Sequence, residues 1–533
     1  MISIAGAAVP IEAMDPAAGG WLLVAVLAVP LAGSLALLAA GAERGERLAR
    51  PVGVLASGLT LVVAVAAAVV FDLGQSGVVQ LETNARWAPA IDLRWHLGLD
   101  GISLPLVVLT ALLTFLCMLY TTRILPRAGQ PRGLVGLLLL LEVGLLGTFL
   151  ALDLLLFFIF FEVVLLPMWF VIARWGDGAR EGKPTAAANT FILYTVLGSA
   201  VMLVGILLVH AETGTFDLVA LADDRGAGMA RSTQVLAALL LLVGFAVKTP
   251  MWPLHTWLPD AHTAAPTVGS VLLAGALLKM GTYGLVRVVL PVVPEGAEVL
   301  APYIAALGVV GILYGSLVCL VQTDLKRLIA YSSVGHMGFV LLGIATLTPA
   351  GVNGALFANI AHGLITGLLF FVVGGIKDRH GSADLGAIGR GLYGRAPRLG
   401  SLLTFGAIAS LGLPGLAGFW GEMLAMFGAF DPAAALDRPL YLVFMSLAGV
   451  GTLLTAAYLL RVVRQVCQGP HAVTSASSAP DLSRRPLVFG DVAAVELAAW
   501  GPLVVAVLVL GLWPAALLGL TDPAVAAVLG SGG

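Results

Sequence analysis

Along this chain apolar residues gather in blocks of roughly twenty, parted by short polar stretches, and a helix of that length crosses the hydrocarbon core of a bilayer. The pattern predicts about fourteen spans. They lie near residues 21–41, 51–72, 103–121, 133–151, 154–173, 187–209, 234–253, 266–289, 301–321, 328–347, 353–376, 399–428, 440–460 and 493–515. The expected fold class is an all-α, polytopic membrane protein. Two blocks carry a break. The seventh contains VKTPMWP, where Pro250 and Pro253 follow Lys248. The twelfth reads ASLGLPGLAGFWGEML, with Pro414 in a glycine-rich stretch ahead of Glu422. Proline removes a backbone donor and clashes with the carbonyl one turn back. In a membrane such a break is tolerated where it packs in protein or lines a wet cavity.

The two breaks stand five spans apart. An odd number of crossings inverts direction, so spans four to eight and nine to thirteen are expected to be inverted repeats, with an ion path near mid-membrane between them. The expected organisation is 1–132 for three N-terminal spans, 133–290 for the first repeat, 301–465 for the second, and 466–533 for a polar connector and the fourteenth helix. Residues 465–490 are Ser/Pro-rich and read as a cytoplasmic connector. The segment before Trp21 carries Glu12 and Asp15 and no Lys or Arg, the reverse of a signal-peptide start, so the first block is expected to stay as a span.

Composition agrees. Of the 533 residues 59% are hydrophobic and 11% charged, against about 45–50% and about 25% in soluble domains. A soluble enzyme is excluded, the lipid bilayer is the expected surrounding, and nothing points to nucleic acid. Cys117, Cys319 and Cys467 share no C-x-x-C spacing, and iron–sulfur clusters normally need four thiolates, so they read as packing residues. GAREGKPT (178–185) is one residue short of a P-loop and has no strand before it, so it reads as a turn. Of the 28 Lys and Arg residues, twenty fall in alternate loops, from Arg44, Arg47 and Arg50 to Arg461, Arg464, Arg484 and Arg485. Six lie on the other side (Arg86, Arg94, Arg225, Arg231, Arg287 and Arg438), and Lys248 and Lys279 fall within spans. The richer side is expected to face the cytoplasm, which leaves both termini facing outward across the cell membrane.

Charge inside the spans carries the chemistry. Glu142, Glu162, Lys248, Lys279, His336, His362 and Glu422 all fall within apolar blocks. Each ionised group costs on the order of 2.5–3.5 kcal/mol at a helix centre. Glu162, in FFIFFEVVLLPMW, is the expected partner of Lys248. Burial disfavours a charged lysine and a nearby carboxylate favours it, so a lysine between these influences exchanges a proton when its partner moves. Lys279, His336, His362 and Glu422 extend a candidate row of proton carriers. The two lysines argue against sodium, and no metal-binding constellation is present. His255 and His262 flank Asp260 at what reads as a structured loop end, a proton entrance more than a metal site.

The stretches FFIFFEVVLLPMWF (157–170), VKTPMWPLHTWLPDAHTAAPTVGSVLLAGALLKMGTYG (247–284), DLKRLIAYSSVGHMGF (324–339) and PGLAGFWGE (414–422) resemble the proton-translocating antiporter-like subunits of respiratory complex I, the NADH-quinone oxidoreductase. The similarity covers nearly the whole chain. IDLRWHLGLDGISLPLVVLT (91–110) resembles the M branch of that family, chain 4 in mitochondria. Glu422 agrees, since the L and N branches and the Mrp-type antiporters usually carry lysine there. The resemblance implies that Glu162 modulates a switching Lys248, that Lys279, His336 and His362 form a relay, and that Glu422 loads and releases the proton outward. A role for Glu142 at a subunit boundary is a weaker expectation. The family implies no cofactor in this chain; flavin, iron–sulfur clusters and quinone belong to partner subunits. The implied partners are the L and N antiporter-like chains and small membrane subunits. An Mrp-type cation/proton antiporter and a hydrogenase- or ferredoxin-linked relative stay open as alternatives.

Overall fold

The computed structural model describes residues 16–126, 129–177, 184–469 and 490–530. The N-terminal stretch before Pro16, most of the GAREGKPT turn, and the Ser/Pro-rich connector lie outside the described residues. Among the described residues, thirteen helices are long and apolar enough to cross a membrane. The remaining predicted crossing, 399–428, is two shorter helices, Pro397–Ser410 and Ala417–Phe430, joined by an unwound 411–416. Proline and glycine at this break divide one hydropathy block into two half-helices.

The spans sort by what they touch. The helix Pro349–His380 is enclosed over its entire apolar window, and Thr267–Val292 and Leu325–Ala345 over 94% and 89% of theirs. Ala42–Val70 and Arg438–Val466 are enclosed over only 28% and present leucine and valine outward, as lipid-facing helices do. The three enclosed spans are those that carry Lys279, His336 and His362. Apolar sequence alone cannot separate the two kinds, since both are hydrophobic all round.

Loops on alternate sides meet one another. On one side Asp177, after the fifth span, accepts ion pairs from Lys326 and Lys377, and Arg327 pairs with Asp260 at 3.1 Å. On the same side Arg379 grips Glu496 with both terminal nitrogens, at 2.8 and 2.6 Å, fixing the last long span to the eleventh. On the opposite side Arg287 pairs with Asp100 at 2.5 Å. The chain there forms a feature that hydropathy did not reveal: an antiparallel hairpin of strands Gln80–Ala88 and Leu93–Leu99. Its buried His96 lies 2.8 Å from Glu82 and 3.4 Å from Asp217. Burial would raise the Asp217 carboxyl, but the neighbouring His96 and the amides of the helix it caps hold it below its ordinary value.

The end of the chain also corrects the reading. The predicted last span closes at Leu512, and a further helix, Ala515–Leu529, follows. It packs on the N-terminal end of the eleventh span, where Asn353 donates to Asp522 at 2.8 Å and Thr521 donates to Asn353 at 2.6 Å.

Candidate functional site

The ionisable groups within the spans fall into two main groups. The first holds Glu162 and Lys248. Glu162 ends the half-helix Leu154–Val163, which Asp153 caps through the amides of Leu155 and Leu156. A second half-helix, Leu165–Trp175, continues the span after a kink, because Pro167 has no amide and presses on the turn before it. Lys248 is the last residue of Arg231–Lys248, so the seventh span ends five residues earlier than hydropathy indicated. Its ammonium sits at the negative end of that helix. The break frees the last carbonyls, and Trp257 of the short helix Trp257–Ala264 donates to that of Val247 at 3.0 Å.

The expected Glu162–Lys248 contact is not made in this conformation. Lys248 Nζ has no hydrogen-bond partner and stands 4.5 Å from the ring centre of Phe161. One Glu162 oxygen is likewise unpartnered, and the two charges act on each other without touching. A cation over an aromatic face gains about 0.5–2 kcal/mol, so Phe161 offers Lys248 a second resting place beside its carboxylate.

The second group is continuous. Lys279 Nζ lies 2.6 Å from His362 Nδ1 and donates to the Ala274 carbonyl at 2.5 Å. The His362 ring faces that of His336 at 5.7 Å between centres. His336 Nδ1 lies 3.0 Å from Glu422 Oε1, and its Nε2 lies 2.8 Å from the Ser410 hydroxyl. The order in space is thus Lys279, His362, His336, Glu422, with the eleventh span ahead of the tenth. Backbone irregularity helps place it. Wide π-helical turns, Leu273–Leu277 and Leu285–Val289, flank the segment that carries Lys279, and such turns expose carbonyls that a regular helix would use. The backbones of Gly275 and Gly363 meet, a Cβ on Gly363 standing 2.8 Å from the Gly275 carbonyl, which draws Lys279 and His362 together.

A small cavity, with room for about one water, lies along the far half of this row, lined by His336, His362, Thr366, Ser410 and Glu422 among others. A single water there would have His336, Ser410 and Glu422 as polar partners. No hydrogen bond joins Lys248 to Lys279 among the described residues. Glu142 stands apart: it is fully buried in Pro131–Leu150, neither oxygen is hydrogen-bonded, and the titratable group it acts on is Cys117. Ser410, just before the twelfth-span break, was missed in the sequence; a lone hydroxyl in an apolar run was its only signal. His262, read as a loop-end residue, is fully buried with its ring stacked on Phe370 at 4.5 Å, and His255 packs against Tyr314.

A multi-span membrane protein with a row of Lys, His and Glu buried between broken helices belongs to the antiporter-like class. Comparison with known proteins narrows this. Residues 151–455 match the family described as NADH:quinone oxidoreductase/Mrp antiporter, TM, and the chain belongs to that family. It is 38% identical over 518 residues to "NADH-quinone oxidoreductase subunit M" of Rhodobacter capsulatus, covering 95% of this chain and 96% of that one. A chain of respiratory complex I from Thermus thermophilus, solved with bound NADH, superposes with a TM-score of 0.81 at 30% identity, over 96% of this chain and 100% of the other. A chain of the Mrp complex from Dietzia sp. DQ12-45-1b gives 0.81 at 24% identity, covering 97% and 99%, a likeness of fold.

Proposed function

We propose that this chain is a membrane-arm subunit of an NADH-quinone oxidoreductase and moves protons outward across the cell membrane. The observation that carries the reading is the row Lys279–His362–His336–Glu422, three of whose members sit on the most enclosed spans, with contacts spaced for proton exchange. Each member can hold or release a proton, and the adjoining cavity can hold water. Quinone reduction takes place in neighbouring subunits, which hold flavin and iron–sulfur clusters, and the L- and N-type antiporter-like chains and small membrane subunits flank this one. Both termini face outward, as the basic loops favour. Spans four to eight and nine to thirteen act as inverted repeats, one carrying Glu162, Lys248 and Lys279 and the other His336, His362 and Glu422.

In this account a change of charge in the neighbouring subunit moves Lys248 between Phe161 and Glu162. When Lys248 leaves Glu162 its positive charge is no longer balanced, and the proton on Lys279 is repelled toward His362, His336 and Glu422. Glu422 releases it outward. The Mrp-type reading shares the fold, but the glutamate at 422 and the 38% identity to a subunit M chain favour the oxidoreductase. Native electrophoresis of mildly solubilised membranes, with a tag on this chain and staining for NADH dehydrogenase activity, tests the assignment. Co-migration with a large active band supports it. Recovery of the chain solely in a smaller inactive assembly contradicts it and favours an antiporter.

A further inference from the structure

The row has one gap. His362 and His336 face each other with 5.7 Å between ring centres, and no hydrogen bond joins them among the described residues. Ser410 stands beside that gap. It is buried, it ends the half-helix Pro397–Ser410, and its hydroxyl lies 2.8 Å from His336 Nε2. The small cavity next to it is lined by His362 as well. The two ends of the row fix where the ring protons sit. A lysine ammonium donates and cannot accept, so His362 Nδ1, 2.6 Å from Lys279 Nζ, is an acceptor. The proton of a neutral His362 is then on Nε2, which is buried and has no hydrogen-bond partner among the described residues. An ionised carboxylate accepts and cannot donate, so His336 Nδ1 donates to Glu422 Oε1 at 3.0 Å. That leaves His336 Nε2 bare, and it accepts from the Ser410 hydroxyl.

We propose that Ser410 is a proton-carrying member of the row, the link between His362 and His336. This rests on the proton-moving function proposed above. One water in the cavity joins His362 Nε2 to the Ser410 oxygen. Lys279 gives a proton to His362 Nδ1, and His362 gives the proton on its Nε2 to the water. The water gives one of its own to Ser410 Oγ as the Ser410 hydroxyl proton passes to His336 Nε2. His336 gives its Nδ1 proton to Glu422. Lys279 ends as a neutral amine and Glu422 as a neutral acid. The two rings, the water and the hydroxyl each end with as many protons as they began with. A hydroxyl suits this place because it holds one donor and two acceptor sites and rotates freely. It donates to a bare Nε2 and accepts from a protonated one. Ala358, Ala361 and Ile365 on the same wall can do neither. Thr366, the other hydroxyl on the wall, donates to the His362 carbonyl.

The hydroxyl itself is the object of the test. In the intact membrane complex, Ser410→Ala removes it at a helix end, where alanine is a good helix former. The variant is expected to assemble with thermal stability near that of the unmodified enzyme. Its acidification of inverted vesicles during NADH oxidation is expected to fall on the order of tenfold or more. Ser410→Thr, which keeps a hydroxyl, is expected to regain most of that rate. Pumping by Ser410→Ala equal to the unmodified enzyme would overturn the proposal. An equal loss in Ser410→Ala and Ser410→Thr would overturn it too, since the hydroxyl would then not be what counts. Should Ser410→Ala fail to assemble, Ser410→Gly also lacks the hydroxyl and takes its place with the same outcomes. Lys279→Met separates this inference from the function beneath it. Loss of pumping in Lys279→Met with normal pumping in Ser410→Ala removes Ser410 alone from the row, and normal pumping in both removes the underlying function as well.

Discussion

Gly412 offers a perturbation whose cost can be worked from the backbone outward. It sits in the unwound 411–416 at φ +76°, and Gly415 in the same segment sits at φ +92°. Alanine at either site is forced into the left-handed region, which costs about 1–2 kcal/mol. The two differ in what the new methyl group meets. At Gly412 it would stand 3.1 Å from Glu422 Oε2, so the carboxylate must give by a few tenths of an ångström. At Gly415 its nearest neighbour is Leu512 Cδ2 at 3.8 Å, an ordinary contact. The Glu422–His336 bond is 3.0 Å long, and a comparable shift takes it beyond the usual range, which ends near 3.2 Å. A hydrogen bond to a charged group is worth about 1.5–3 kcal/mol; losing about 1 kcal/mol of it in the proton-transfer step slows that step roughly fivefold. Gly412→Ala and Gly415→Ala are therefore expected to lower thermal stability of the assembled complex alike. Gly412→Ala alone should slow vesicle acidification, by about fivefold. Equal pumping by the two variants would refute the placement of Glu422 in the path.

Other perturbations read other parts of the site. Asp153→Ala uncaps the half-helix that ends in Glu162 and should cost about 1 kcal/mol, measurable as faster thermal inactivation, with turnover reduced if Glu162 shifts. Phe161→Leu removes the ring beneath Lys248; losing about 0.5–2 kcal/mol of that contact should bias Lys248 toward Glu162 and change coupled turnover by about two- to thirtyfold. At Asp177 burial alone would raise the carboxyl, but Lys326 and then Lys377 outweigh it and hold it below its ordinary value. Its ion pairs thus contribute stability that is present above the unfolded carboxylate value, about 3.9, and is lost as pH falls through the lower folded one. Inactivation measured at falling pH should accelerate in the unmodified enzyme, and Asp177→Asn should flatten that dependence.

Hydropathy and basic residues made most of the architecture readable because a helix in lipid must satisfy its own backbone, leaving length and polarity as the main variables. The twelfth block became two half-helices, and its Pro414 and glycines announced this. The hairpin did not announce itself: QLETNARWA has little apolar alternation, since much of that strand is exposed. The helix Ala515–Leu529 is short for a span and contains Pro523, which hid it. Among site residues, the types were visible because charge in an apolar run is costly. Their order was not. His362 precedes His336 in space because the eleventh span packs between the eighth and the tenth, an arrangement set by close glycine contacts and not by sequence position. Glu162 and Lys248 looked like a closed pair, yet an aromatic ring adjacent to Glu162 in the chain competes for the lysine. Lys326 lies at the start of its helix, where charge is common; its burial against Asp177 and Ala265 sets it apart.

The most direct test of the row itself is the proton-to-electron ratio of the purified complex in sealed liposomes, with His362→Gln compared with the unmodified enzyme. His362 alone stands between Lys279, at 2.6 Å, and the ring of His336, and glutamine keeps a hydrogen-bonding side chain but cannot take up and release a proton. The account predicts an assembled enzyme that moves fewer protons per electron, or that slows its electron transfer in step with its pumping. An unchanged ratio at an unchanged rate would contradict it.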